Sequence, residues 1–298
     1  MKESRKYLEP TTVAQLQNIE LKARLVVEGF ITGLHKSPYH GFSVEFSEHR
    51  SYRSGDEIRH IDWKVYARSN KFYVKQFEEE TNLRSMIVLD SSASMNFASA
   101  GNISKFEYGS YLAAAMAFLM MKQRDAAGLA TYDTEVRKFM HPRSKQSYIA
   151  ELIKVLDTTK PSNGTGTANA LNDIAERLKR RGLVIIISDF FDDLDSVVTA
   201  LKHFRHQNHE VIVFQTLDPR ELDFKFGFTS DFIDLETGEE ISTQPFQIQK
   251  AYQDAMNEFT NSIRKECFNL KIDYHLIDTS QTFDIALKEY LKKRQGGG

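Results

Sequence analysis

The chain of 298 residues has a single cysteine, Cys267. That count excludes an internal disulfide and a cysteine-built zinc cluster. Long apolar runs are also missing: the longest, "YLAAAMAFLMM" at 111–121, is far shorter than a bilayer span requires. The opening residues, "MKESRKYLEP", lack the apolar stretch of a secretion signal. Neither sign of charge dominates, since 39 Lys and Arg face 41 Asp and Glu for a net charge of −2. Nothing in that balance drives the whole chain toward nucleic acid or an anionic membrane. No repeat of solenoid length and no low-complexity segment occurs before the terminal "GGG". Neither a Walker-A "GxxxxGK[ST]" nor an "HExxH" is present, and the nine histidines are scattered. These absences read as a cytoplasmic, reduced, soluble protein with an ordinary apolar content of 41%.

Periodicity gives the organisation. Val13, Leu16, Ile19, Leu21, Leu25, Val26 and Phe30 suit an amphipathic helix over 10–29. Residues 31–82 mix Gly, Ser, aromatic and basic residues with period-two stretches such as "KFYVKQF", which predicts short strands and ordered loops. From Met86 the pattern becomes regular. Apolar strands are predicted at 86–90, 127–132, 183–188, 210–217 and 270–277, with helices at 105–123, 147–156, 167–180, 194–206, 247–268 and 282–293. Several strands are almost wholly apolar, so both faces are buried. The expected fold is α/β: a doubly wound, mainly parallel sheet flanked by helices, with an N-terminal helix and strand/loop extension. "TYDTEVRKFM" supplies one antiparallel edge hairpin. Residues 1–82 are read as the extension, 83–294 as the α/β domain and 295–298 as a flexible tail.

In such sheets ligands gather at the carboxyl ends of strands, near the topological switch point. "SMIVLDSSASM" (85–95) runs there from a buried strand into Asp90, Ser92 and Ser94. "NGTGTANAL" (163–171) opens a helix with Thr165 and Thr167, and "IIISDF" (185–190) ends a second buried strand on Asp189. Each alone also suits a helix or strand-end cap. Taken together, two carboxylates and three hydroxyls, completed by water, form an all-oxygen set suited to Mg2+ or Mn2+. The nearby Asp192, Asp193 and Asp195 read as helix-start charges.

"VLDSSASM", "GTGT" and "IISDF" resemble the metal-ion-dependent adhesion site of a von Willebrand factor A domain. The resemblance implies Asp90, Ser92, Ser94, Thr165 and Asp189 as ligands, with Thr165 preferred to Thr167 because the family's ligand is usually the first threonine of such a loop. The stretch "EFSEHRSYRSGDEIRHIDWKVYAR" (45–68) resembles the signature of the bacterial domain-of-unknown-function fifty-eight family, through Glu45, Phe46, Arg50, Tyr52, Gly55, Asp56, Arg59, Ile61, Asp62 and Trp63. "HEVIVFQTLDPRELDF" (209–224) is similar to that family as well. Its members are often encoded beside MoxR-type AAA+ ATPases, which implies such an ATPase, or its client, as partner.

The segment 52–75 interleaves Arg53, Arg59, Lys64, Arg68, Lys71 and Lys75 with Tyr52, Trp63, Tyr66, Phe72 and Tyr73. Such mixing can bind single-stranded nucleic acid. Interspersed Glu45, Glu48, Asp56, Glu57 and Asp62 favour internal pairing instead, with the aromatics packed inward, so no nucleic-acid partner and no membrane insertion is expected.

Two function classes follow. A metal-dependent interaction module, not an enzyme, leads: hydroxyl ligands leave the ion poorly neutralised, so it favours an exposed Asp or Glu of a protein partner. The alternative is a metal-dependent hydrolase or phosphatase, which needs a positioned base and a phosphate-binding group besides the ligands.

Overall fold

A computed structural model describes residues 9–16, 18–35, 49–51, 63–75, 83–162, 164, 166–226, 230–233, 235 and 238–296. Its contacts divide the chain into two units, Met1–Gly33 with Leu83–Gly298, and Leu34–Asn82. The first residues thus group with the larger unit, where the sequence reading places all of 1–82 in one extension.

The larger unit is mixed α/β around a six-stranded, mostly parallel sheet. Strands β3 (Arg84–Asp90), β4 (Ala126–Tyr132), β5 (Val136–Arg143), β6 (Leu183–Ser188), β7 (Glu210–Leu217) and β10 (Asp273–Asp278) stand in the order β10-β7-β6-β3-β4-β5. All neighbours run parallel except β4 and β5, which form the expected antiparallel edge hairpin. The chain leaves β3 toward β4 on one side and later returns to its other side as β6, so the switch point lies between β3 and β6.

Apolar residues dominate β3 and β6, and every residue of β6 is buried, because helices cover both faces. On one face Val88, Val184, Ile186 and Val213 pack with Leu171 and Ile174 of α6 (Thr167–Arg177), Leu201 and Phe204 of α7 (Leu194–His206), and Ile263 and Cys267 of α9 (Pro245–Asn269). The other face receives α4 (Lys105–Lys122), the helix holding the longest apolar run. Fifteen of its residues are buried, so it is a core helix. Among the described residues no helix is long and apolar enough to cross a membrane. Gly109 sets its approach: a Cβ there would lie 2.8 Å from Leu89 Cδ1 and 3.2 Å from Ile187 Cγ2. A capping box of Ser104 and Glu107 starts α4 and fixes where its first residue, Lys105, enters the fold. α5 (Tyr148–Thr158) and α10 (Asp284–Gly296) complete the main helices. Phe283, just before α10, stacks on Tyr108 of α4 at 4.6 Å between ring centroids.

Several boundaries differ from expectation. The helix expected over 10–29 is two, α1 (Pro10–Ala14) and α2 (Ile19–His35); Asn18 accepts a hydrogen bond from Glu20 N at 2.7 Å and restarts the helix. α10 continues through Gly296, so residues 295 and 296 are helical where a tail is expected. α8 (Pro219–Asp223) and a hairpin of β8 (Ser230–Ile233) and β9 (Glu240–Thr243) are additional.

In the smaller unit, β1 (His49–Ser51) pairs antiparallel with β2 (Tyr73–Lys75), as the period-two pattern predicts, but Trp63–Ser69 forms a helix, α3. Tyr66 stacks on Phe72 at 4.4 Å and meets Trp63 edge-on at 6.1 Å. Trp63 and Phe72 remain 55% and 43% exposed. These aromatics pack on one another locally, which corrects the expectation that they turn inward. Tyr52, Arg53, Arg59 and the acids Glu45, Glu48, Asp56, Glu57 and Asp62 lie outside the described residues.

Candidate metal centre

Asp90 is the last residue of β3, opposite Tyr132 of β4, and Leu89 pairs with Ile187 of β6. The register therefore delivers three polar side chains to one place. Ser188 donates to Asp90 Oδ2 at 2.6 Å and the Tyr132 hydroxyl donates to the same oxygen at 3.2 Å. Ser92 N donates to Asp90 Oδ1 at 2.8 Å. This local side-chain turn replaces the strand ladder at the point where it stops. The chain then enters a short 3-10 turn, Ala93–Asn96, which brings Ser92 Oγ within 3.1 Å of Ser94 Oγ. Asp90, Ser92 and Ser94 thus converge as the sequence predicts.

Asp189 follows β6 in a matching turn, where Phe191 N donates to its Oδ1 at 3.1 Å. Between them Phe190 is fully buried with φ 62°, left-handed backbone that costs a bulky residue of order 1 kcal/mol and is held by its packing. Both aspartates are completely buried. Burial, then the charge of Asp189, pushes the Asp90 carboxyl up to about 7. An acid whose ionisation is made costly by its burial and by a neighbouring carboxylate marks a candidate functional site.

The loop leading to α6 closes the third side. Ser162 N donates to Ser91 O at 3.0 Å and Gly166 N to Asp133 O at 3.2 Å. Glycine is required at 166, because a Cβ would lie 2.7 Å from Thr134 O. Thr165 lies outside the described residues. Thr167 is fully buried and its Oγ1 makes no hydrogen bond, although it lies close enough to the Tyr132 hydroxyl to influence it. Asp193 caps α7 by accepting from Ser196 N at 2.9 Å, and Asp195 sits in that helix's first turn, both as expected. Asp192 instead reaches across to Ala168 N of α6 at 3.4 Å.

Besides Ser188 and Tyr132, two charged site groups, Lys105 and Glu221, have no forerunner in the sequence reading. Lys105 is fully buried, with Nζ 2.7 Å from Asp189 Oδ2 and 2.6 Å from Glu221 Oε1 of α8. Its ammonium lies 4.7 Å from the Phe191 ring centroid. Burial pulls the lysine down, but Asp189 and Glu221 outweigh it and the net shift is upward. Glu221 is nonetheless raised, since its own burial exceeds the attraction of the shared lysine.

The donors fit a hard divalent cation. All are oxygens, Ser92 and Ser94 are adjacent, and Thr167 Oγ1 is an orphaned buried acceptor. Among the described residues there is no group of three or more His, Cys, Asp and Glu that could hold a metal ion, so a metal here would rest on the hydroxyls as well as the two aspartates. A cleft of about 840 Å³ lies elsewhere, bordered by Arg181, Arg264, Lys271, Asp273 and Lys292 near the amino ends of β7 and β10.

Residues 48–262 match the family described as Protein of unknown function DUF58. The chain belongs to that family. This is the family that the stretch at 45–68 resembles. The chain is similar to uncharacterized proteins of Mycobacterium tuberculosis and Mycobacterium bovis, each 27% identical over 250 residues that cover 83% of this chain and 77% of theirs. Among solved structures, the chain is similar to a conserved hypothetical protein, BatB, from Bacteroides thetaiotaomicron (18% identity, TM-score 0.47, 70% of this chain and 97% of that one). It is similar also to an aerotolerance-related membrane protein from Bacteroides fragilis (19% identity, TM-score 0.47, 70% of this chain and 98% of that one).

Proposed function

We propose that this family member is a von Willebrand factor A-like, non-enzymatic interaction module. Its Asp90, Ser92, Ser94, Asp189 and a threonine of the 163–167 loop hold Mg2+ or Mn2+ and receive an acidic side chain of a partner. The observation that carries the reading is the convergence of Asp90, Ser92 and Ser94 with Asp189 at the switch point between β3 and β6. Thr165 is the ligand that the resemblance implies. Thr167, with its unpartnered Oγ1, is the threonine whose place beside Tyr132 supports a direct or indirect part in the site.

Bound magnesium or manganese supplies an open coordination position for an anionic oxygen. The chain's own residues do the rest. Asp90 is oriented by Ser188, Tyr132 and Ser92 N. Asp189 is oriented by Phe191 N and Lys105. Neutral serine donors leave positive charge for the partner's carboxylate to neutralise. The partner that the family resemblance implies is a MoxR-type AAA+ ATPase or its client.

The test is capture of a purified MoxR-type AAA+ ATPase, in magnesium and in chelator. The Ser92→Ala, Ser94→Ala double variant is expected to melt within about 1 kcal/mol of the parent and to lose capture, as the parent does in chelator. Capture that persists in both removes the site from the interaction.

A further inference from the structure

We propose that Lys105 is a built-in counter-cation, which holds the Asp90–Asp189 site at low affinity for its divalent ion and so makes an outside carboxylate necessary. The inference rests on the metal reading of that site. Lys105 is the first residue of α4, completely buried, and bridges Asp189 Oδ2 at 2.7 Å and Glu221 Oε1 at 2.6 Å. This is an expensive place for an ammonium. It stands in the first turn of a helix, where the dipole disfavours a cation, and out of reach of water. Neutral donors already orient both aspartates from the other side, as Phe191 N does for Asp189 and Ser92 N for Asp90. A further neutral donor would have sufficed to position Asp189, so the charge itself calls for a role.

That role follows from Coulomb's law at short range. Each carboxylate oxygen has two lone pairs, so Asp189 can be gripped by Lys105 and still present oxygen to an ion. An ion held by Asp189 then lies within a few ångströms of a fixed positive charge that cannot swing away, because Glu221 anchors its far side. Glu221 is fixed in turn: its Oε2 accepts from Asp218 N at 2.9 Å, and buried Asp218 accepts from Ser99 N at 2.9 Å. Repulsion between ammonium and ion weakens binding and leaves the ion short of negative charge. Both effects favour an anionic oxygen from a partner. A purely structural staple between α4, β6 and α8 makes the opposite forecast, since loosening it should weaken every property of the site together.

The experiment is titration of the full chain with Mn2+ alone, followed by calorimetry and electron resonance, on the parent, Lys105→Gln, and Lys105→Gln with Glu221→Gln. The double variant limits misfolding, because it removes the Glu221 charge that the lost ammonium would otherwise leave unmatched beside Asp189. Mn2+ affinity is expected to rise about tenfold in a variant that melts cooperatively, while magnesium-dependent capture of the ATPase falls. A rise in affinity with loss of capture is the signature that a staple cannot produce. Affinity equal to or below the parent's in the folded double variant overturns the proposal and leaves the metal site standing. Absence of Mn2+ binding in the parent and in both variants overturns the metal reading itself, and this proposal with it.

Discussion

At the amino ends of β7 and β10, Arg205 donates to the backbone carbonyls of Leu270 and His209, and the buried His209 precedes β7 beside Phe204. At the amino end of β4, the Tyr290 hydroxyl donates to Asp125 Oδ2 at 3.1 Å. A cation meets neutral oxygens there, and an acid meets a neutral hydroxyl. At the carboxyl ends of β3 and β6 the arrangement is different. Asp90 feels the charge of Asp189, while Asp189 and Glu221 divide a single ammonium. At the amino end the contacts tie chain segments together through neutral partners of Arg205 and a hydroxyl on Asp125. The carboxyl end crowds acidic groups around one cation, a stability cost that the proposed metal ion would relieve. Such a contrast within one domain separates structure from function better than conspicuous residues do.

If the contrast is right, the two ends must respond oppositely to loss of charge. The largest stability effect is expected at the amino end. Arg205→Ala removes charge-assisted bonds to two carbonyls and should destabilise by about 3 kcal/mol, read by denaturant unfolding, with Mn2+ affinity unchanged. At the carboxyl end, Asp90→Asn should stabilise the metal-free chain. The folded acid is raised to about 7 from 3.8. Between those values the folded chain keeps a proton that the unfolded chain has lost, so stability falls as pH rises through the window and stays lower above it. The amide removes that cost, and a gain on the order of 2 kcal/mol above pH 7 is expected, with little gain near pH 4. A loss of stability at every pH would erase the contrast.

The smallest effect belongs to His209. Its imidazole is pushed down by burial, so the folded chain resists a proton that the unfolded chain accepts. The corresponding stability is present above the free histidine value and declines as pH falls below about 6.5. Melting compared between about pH 7 and pH 5 should show a decline that is smaller in His209→Leu.

How much of this was legible depended on distance along the chain. Asp90 and Asp189 end runs of buried apolar residues, so the pattern that predicts a parallel sheet also predicts their common location. The serines of 92 and 94 follow from their place in the same turn. Lys105 and Glu221 were illegible because they join the site across 84 and 116 residues, and no local pattern announces such a meeting. The break between α1 and α2 was hidden because Val13, Leu16 and Ile19 keep a helical period across it. The β8–β9 hairpin had a signal that went unused: a glycine in "LETGEE" between two short β-prone stretches, which the structure places at φ +74° as Gly238.

The most direct measurement is a Mn2+ titration of the full chain and of Asp90→Asn at neutral pH, each with its thermal midpoint recorded. The account expects one site in the parent, a loss of about a hundredfold or more in affinity for the variant, and a variant midpoint at or above the parent's in chelator. Equal affinity in the two proteins, or lost affinity together with a lowered midpoint in chelator, would contradict it.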